Sequence, residues 1–437
     1  MATELQTLNV APARDTDDVD AAEGSDRETL IQTLPSPDRG KEAYRFLFAA
    51  FIIEGVLWGF PQSYGVFQKF YSSQPDFQGD QNNIPLIGTL ANSVYFLGAP
   101  LATPLAKRFQ HRQKEVIFAG WVICVVSLVA ASFATSVPAL VMTQGVLYGL
   151  GFTALYFPVL RMLNEWFIAR RGLAYGIMFA GSGVSGAGYP FVLELLLSKF
   201  GFRTTLRAMA VMLFVVILPV LPFLKGRLPV SQQGALRGLD VSFFGQPLFY
   251  VFAFANLVQA LGYYVPGLFL PTYASSLGLS GTTGALVLAA FNLATTFGQV
   301  SMGFASDRIS NALLLVFVSS FVSAVASFLL WGFAASLPTL LAFALIYGWF
   351  AGGFVILWPK FGSILSEDPG PVYSMMAFGK GIGNILIGPL SGPLMAGQVR
   401  PGYGLNRYEP LILYLGSMML LSSLSILGWP VRLRSAP

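Results

Sequence analysis

Asn311 to Ala334 reads NALLLVFVSSFVSAVASFLLWGFA, 24 residues without a single charged side chain. Wound as an α-helix it would run about 36 Å, enough to cross the roughly 30 Å hydrocarbon core of a bilayer. Inside lipid a segment must satisfy its own backbone N–H and C=O groups, which leaves the helix as its only conformation. Comparable apolar runs lie on both sides of it. They cover 44–70, 83–106, 115–135, 138–162, 172–198, 204–225, 244–271, 282–305, 311–334, 337–358, 372–396 and 408–430. The pattern predicts an all-α membrane protein of twelve transmembrane helices. Composition agrees: 54% of residues are hydrophobic and 11% charged, with a mean hydropathy of +0.64, against about 25% charged residues in soluble domains.

Lysine and arginine then set the orientation. With the N-terminus in the cytoplasm, Arg39, Lys41, Arg45, Lys107, Arg108, Arg112, Lys114, Arg170, Arg171, Lys225, Arg227, Arg237, Arg308, Lys360, Arg432 and Arg434 fall inside. Lys199, Arg203, Arg207, Arg400 and Arg407 fall outside, with Lys69 near the boundary, a bias of about three to one. Both ends come out cytoplasmic, as an even number of crossings requires. The longest internal connection, Gly226 to Phe243, separates two six-helix bundles at 44–225 and 244–431. A polar linker (226–243) at the midpoint suits a duplicated carrier fold, and a short cytoplasmic tail follows at 432–437. Residues 1–43 differ from the rest. Asp15, Asp17, Asp18, Asp20, Glu23, Asp26, Glu28 and Asp38 sit there among small residues, so this acidic cytoplasmic tail is expected to be disordered. It has neither a basic n-region nor a short apolar h-region, and the first membrane helix is expected to direct insertion.

Several function classes drop out. The net charge of +5 is spread over short loops, which fits membrane orientation better than a nucleic-acid partner. Cys124 and His111 are the only residues of their kinds, so no intrachain disulfide and no histidine metal cluster can form. H-E-x-x-H, G-x-x-x-x-G-K-[ST], G-x-S-x-G and N-x-[ST] are all absent. No enzyme, cofactor, metal or N-glycan is expected. No connection has room for an ATPase, so any driving energy comes from gradients. Gly181-Ser-Gly183-Val-Ser-Gly186 fits G-x-G-x-x-G, but it lies within a membrane helix and no strand precedes it. Small residues there suit close helix packing, as do Gly379, Gly381 and Gly383.

Polar residues within the spans carry the functional signal, since each is costly in lipid unless it faces a cavity or a partner. Glu54 lies about 15 Å into the first span, with Trp58 and Gln62 following one and two turns on. Asn256, Gln259 and Tyr263 share a face of the seventh span, and Asn292, Thr295 and Gln299 repeat that spacing on the eighth. Lys380 and Asn384 are one turn apart on the eleventh. Aligned polar faces on four helices indicate a shared wet cavity; the competing role is interhelical bonding by the amides. Glu54 and Lys380 are open to three uses: ion pair, proton site or substrate anchor. Arg161 and Glu165, one turn apart near the cytoplasmic end of the fourth span, suit a structural pair.

Several segments together resemble the major facilitator superfamily and, within it, fungal members of the monocarboxylate porter family. Asp38-Arg-Gly40 followed by IEGVLWGFPQSYGVFQ is similar to that family's opening signature. WFIARRGLAYGIMFAGSGVSGAGYP resembles its loop before helix five and that helix. Phe200 to Arg203, FGFR, is similar to its short motif before helix six. Gly298 to Arg308, GQVSMGFASDR, resembles the eighth helix and the superfamily's cytoplasmic loop motif. The resemblance covers about residues 38–431 and implies two rigid bundles rocking about a central site. It also implies a cytoplasmic charge latch at Asp307 and Arg308. In the first half the matching loop, Gly98 to Arg112, has Thr103 near the acidic position, so the halves are expected to lock unequally. Proton-coupled lactate carriers of the family bear a lysine at the position of Gln62, and an aspartate and an arginine at those aligned with Thr295 and Gln299. All three are neutral here, which leaves Glu54, Arg161 and Lys380 as candidate partners for a carboxylate and argues for a larger or less charged substrate.

The expected function is secondary transport of a small organic metabolite by alternating access, secondary-metabolite efflux being one form of it, with the direction left open. Proton-linked uptake of a monocarboxylate is the alternative, with the proton as second partner, and a non-transporting membrane sensor comes third. Apart from substrate and membrane lipid no partner is implied, and no oligomeric state is read. Without transit or retention signals, the cell membrane is the expected location and the vacuolar membrane the alternative.

Overall fold

The computed structural model describes residues 35–228, 240–391, 393–395 and 398–428. Most of the acidic tail, the middle of the linker and the tail at 432–437 lie outside the described residues.

Among the described residues, ten helices are long and apolar enough to cross a membrane. One of them, Arg171–Ile217, is 47 residues long, about 70 Å and more than twice a bilayer core. It breaks at Gly201, where φ is 70°, a conformation that glycine adopts without the usual side-chain penalty. The two arms therefore count as separate crossings. Pro369–Ser391 completes the twelve. In chain order the spans are α1 (Lys41–Gln62, continued past a kink by Tyr64–Ser73), α2 (Ile84–Arg108), α3 (Gln113–Ala131) and α4 (Val137–Trp166). Then come α5 (171–200), α6 (202–217), α7 (Pro247–Ser276) and α8 (Gly281–Arg308). The last are α9 (Ala312–Trp331), α10 (Leu337–Leu365), α11 (Pro369–Ser391) and α12 (Glu409–Gly428).

Two ends differ from the hydropathy reading by more than five residues. α6 stops at Ile217 rather than near 225, because Pro219 and Pro222 lack an N–H and clash with the preceding turn; a 3₁₀ turn, Leu221–Phe223, follows. α10 runs on from 358 to Leu365. A 3₁₀ turn at Gly353–Ile356 restarts the helix, so that Pro359 falls in a first turn, where proline is tolerated.

Glycines decide which helices touch. A Cβ on Gly181 would strike the Phe51 carbonyl oxygen of α1, whereas one on Gly183 would meet Thr296 and Asn292 of α8. α5 is thus wedged between α1 of its own half and α8 of the other. α11 repeats the arrangement: Gly383 faces Ala260 of α7 and Gly381 faces Phe96 and Leu97 of α2. The G-x-G-x-x-G run is a packing surface.

Candidate functional site

Glu54 is 3% exposed, and the Tyr156 hydroxyl of α4 donates to its Oε2. Next to them Trp58 packs edge-on to Tyr95 and Phe152, at 5.1 and 5.0 Å between centroids, and against Phe96. Its indole Nε1 is buried without a hydrogen-bond partner. Across the molecule Lys380 is 4% exposed. Its Nζ donates to Gln259 Oε1 at 2.9 Å and lies 3.5 Å from the Tyr263 ring centroid and 5.2 Å from that of Tyr264. The acid and the base are thus each held by neutral partners of their own half. Between them the hydroxyls of Tyr95 on α2 and Tyr373 on α11 approach to 3.4 Å, a polar contact across the halves.

The other expected residues divide. Asn256 is fully engaged, accepting from Trp358 Nε1 and donating to the Met376 carbonyl, both at 2.8 Å. Thr295 donates to the Gly348 carbonyl at 3.3 Å. Both join helices within one half. Asn292 bridges the halves by donating to the Gly186 carbonyl at 3.4 Å. Gln299 is buried with its Oε1 unpartnered. Gln62 is exposed and Asn384 half-buried.

Toward the ends that carry the linker, the halves are clasped. Asp307 accepts from the backbone N–H groups of Gly172 and Leu173, at 2.7 and 2.8 Å. These are among the first amides of α5, which have no partner inside the helix and attract a carboxylate. The Asp307 contact is therefore a helix cap from the opposite half, where the resemblance implied a pair of charged side chains. Arg308 takes no part, its guanidinium lying 4.1 Å from the Phe304 ring centroid. Beside the cap Arg171 donates to Ser363 Oγ at 2.7 Å, again across the halves. Asp38 holds the same corner from the front: its carboxylate accepts from Ile168, Ala169 and Arg170 N–H at 3.1, 3.0 and 2.8 Å. At the start of α11, by contrast, Gly370 N–H donates to the helix's own Asp368 at 3.1 Å. The Thr103 hydroxyl turns back to donate to the Ala99 carbonyl of its own helix at 3.0 Å. Arg161 and Glu165 form an ion pair at 3.6 Å, and Glu165 also accepts from Leu228 N–H at 3.3 Å, tying the linker's first residues to α4.

Contacts between the halves extend from Asp307 to Asn292 and Gly186, about 21 Å along α5. Tyr156, Tyr95, Tyr264 and Tyr373 did not emerge from the sequence. A signal existed for one of them: Tyr148, Phe152 and Tyr156 recur at four-residue spacing.

Two bundles of membrane helices, interlocked by glycines and enclosing a buried polar and aromatic centre, define a carrier. The chain belongs to the Major Facilitator Superfamily, whose profile matches residues 46–266 and 252–437, and it is a membrane transporter. Among its relatives is the MFS-type transporter pynF of Aspergillus niger, 25% identical over 395 residues and covering 89% of this chain and 90% of that one. The agnestins efflux protein AgnL12 of Paecilomyces divaricatus is 28% identical over 402 residues, 90% and 88% of the two chains. Among solved structures, the proton:xylose symporter XylE superposes with a TM-score of 0.68 at 13% identity over 89% of this chain and 95% of that one. FucP in the outward conformation gives 0.63 at 11% identity, over 90% and 100%. At such identities these structures establish the common fold.

Proposed function

We propose that this chain exports a small organic metabolite across the cell membrane, as a monocarboxylate-porter-like member of the superfamily with both termini cytoplasmic. The observation that carries the proposal is the buried centre around Glu54, Trp58 and Lys380, with the halves clasped on its linker side. Substrate binds there from one side, the clasp opens, and the same site faces the other. Relatives named as efflux proteins, of agnestins and of aspyridones, support the outward direction. The excess of Lys and Arg on the linker side supports its being cytoplasmic. On this basis the conformation described here is the one closed to the cytoplasm.

Proton-linked uptake of a monocarboxylate is the second reading, favoured by one feature: Glu54 is a mid-span carboxyl on a tyrosine hydroxyl. Gln62, Thr295 and Gln299, neutral where the lactate carriers are charged, weigh against it. Metabolite profiling inside and outside cells with and without the gene tests the proposal. A compound that accumulates inside and falls outside on deletion supports export, and the reverse pattern supports uptake. Identical profiles, together with no flux from loaded vesicles, would overturn both.

A further inference from the structure

At the linker-side end of α1, Gly40, Lys41, Tyr44, Arg45 and Phe48, with Phe223 from the turn after α6, line a groove of about 720 Å³. It lies on the outside of the bundle, where Tyr44, Phe48 and Phe223 are 51%, 58% and 41% exposed. Lys41 and Arg45 are one turn apart, as are Tyr44 and Phe48, so a cationic row and an aromatic row climb the same helix side by side. Phe48 lies about 10 Å further along the helix than Lys41. The groove is cationic at its mouth, where the span begins, and apolar further into membrane depth. Neither cation has a described carboxylate within ion-pair distance.

We propose that this groove binds an anionic phospholipid of the linker-side leaflet. Lys41 and Arg45 hold the phosphate, and an acyl chain lies along Tyr44, Phe48 and Phe223. The arrangement asks for both parts in one molecule. A soluble anion would answer the cations and leave the aromatic wall bare, whereas a zwitterionic lipid would cover the wall and bring no net charge. The carboxylates of residues 1–34 come with few large apolar side chains. Each Lys or Arg at a membrane surface contributes about a fivefold preference for anionic lipid.

Native mass spectrometry of the full chain, purified in detergent with equimolar phosphatidylinositol and phosphatidylcholine, tests this. Phosphatidylinositol adducts should dominate. K41Q and R45Q should each reduce the adduct ratio roughly fivefold, and the double variant further. K41R, R45K and the opposite-side control K199Q/R203Q should leave the ratio unchanged, and so should deletion of residues 1–34. Equal adducts in the wild type, or a ratio untouched by K41Q/R45Q, would overturn the proposal. So would phosphatidylinositol adducts that appear only after residues 1–34 are removed, since the tail would then be the occupant.

Discussion

Asn256 and Gln299 are both amides nine residues from the linker-side ends of their helices, yet their surroundings separate them. Asn256 satisfies an indole and a carbonyl on two other helices. Leaving buried partners unpaired costs about 1–3 kcal/mol each, so Asn256→Leu should lower the thermal midpoint with substrate KM unchanged. Gln299 keeps a buried oxygen without a partner. Gln299→Ala should leave the midpoint nearly unmoved and change KM or substrate preference severalfold; loss of expression alone would mark it as structural. Glu54→Gln keeps an acceptor for the Tyr156 hydroxyl but cannot take up a proton. Under the proton-linked reading its flux, measured over a pH series, should lose the pH dependence of the wild type; a wild type insensitive to pH removes that reading. Counting residues along a span gave a depth for Glu54. It could not say which amides meet a neighbouring backbone, because that depends on helix rotation and on partners about a hundred positions away. The tyrosine contacts stayed hidden for a related reason: an aromatic stripe looks the same whether its hydroxyls meet carboxylates or nothing.

At the scale of elements, α5 is the pivot. Its first amides are capped from the opposite half by Asp307, the loop leading into it is held by Asp38, and its glycines admit α1 and α8. Hydrogen bonds to a charged group contribute about 1.5–3 kcal/mol. Asp307→Ala should therefore move the access equilibrium by at least tenfold toward linker-side opening, read as faster labelling of cysteines placed on that side, with ligand binding retained. Unchanged labelling and flux would show that the cap does not gate. A Cβ at Gly176 would come within 2.6 Å of the Gln299 carbonyl oxygen and 3.1 Å of Val300 Cα, backbone that cannot step aside. Gly176→Val should give a membrane-inserted protein that fails to close on the linker side, with transport reduced at least tenfold. The loop motif made Asp307 visible in the sequence, but its partner was not, because backbone amides at a helix start carry no residue signature. At the start of α11 the first amides meet the nearby Asp368 of the same half.

For the whole molecule, hydropathy located twelve crossings to within a few residues except where proline or a 3₁₀ turn moved an end. The arrangement of halves about α5, α8, α2 and α11 lay in the glycines, whose spacing signals close packing without naming the partner helix. The proposal that two halves rock about a buried centre is tested most directly by spin-label distances in reconstituted protein lacking Cys124. One pair, at Ile168 and Ile309, spans the halves on the linker side; a second, at Lys199 and Leu277, lies on the opposite side. The wild type should show a dominant short linker-side distance, and Asp307→Ala should add a longer one while the opposite-side pair draws together. A single distance at each pair, unmoved by that substitution, would contradict alternating access.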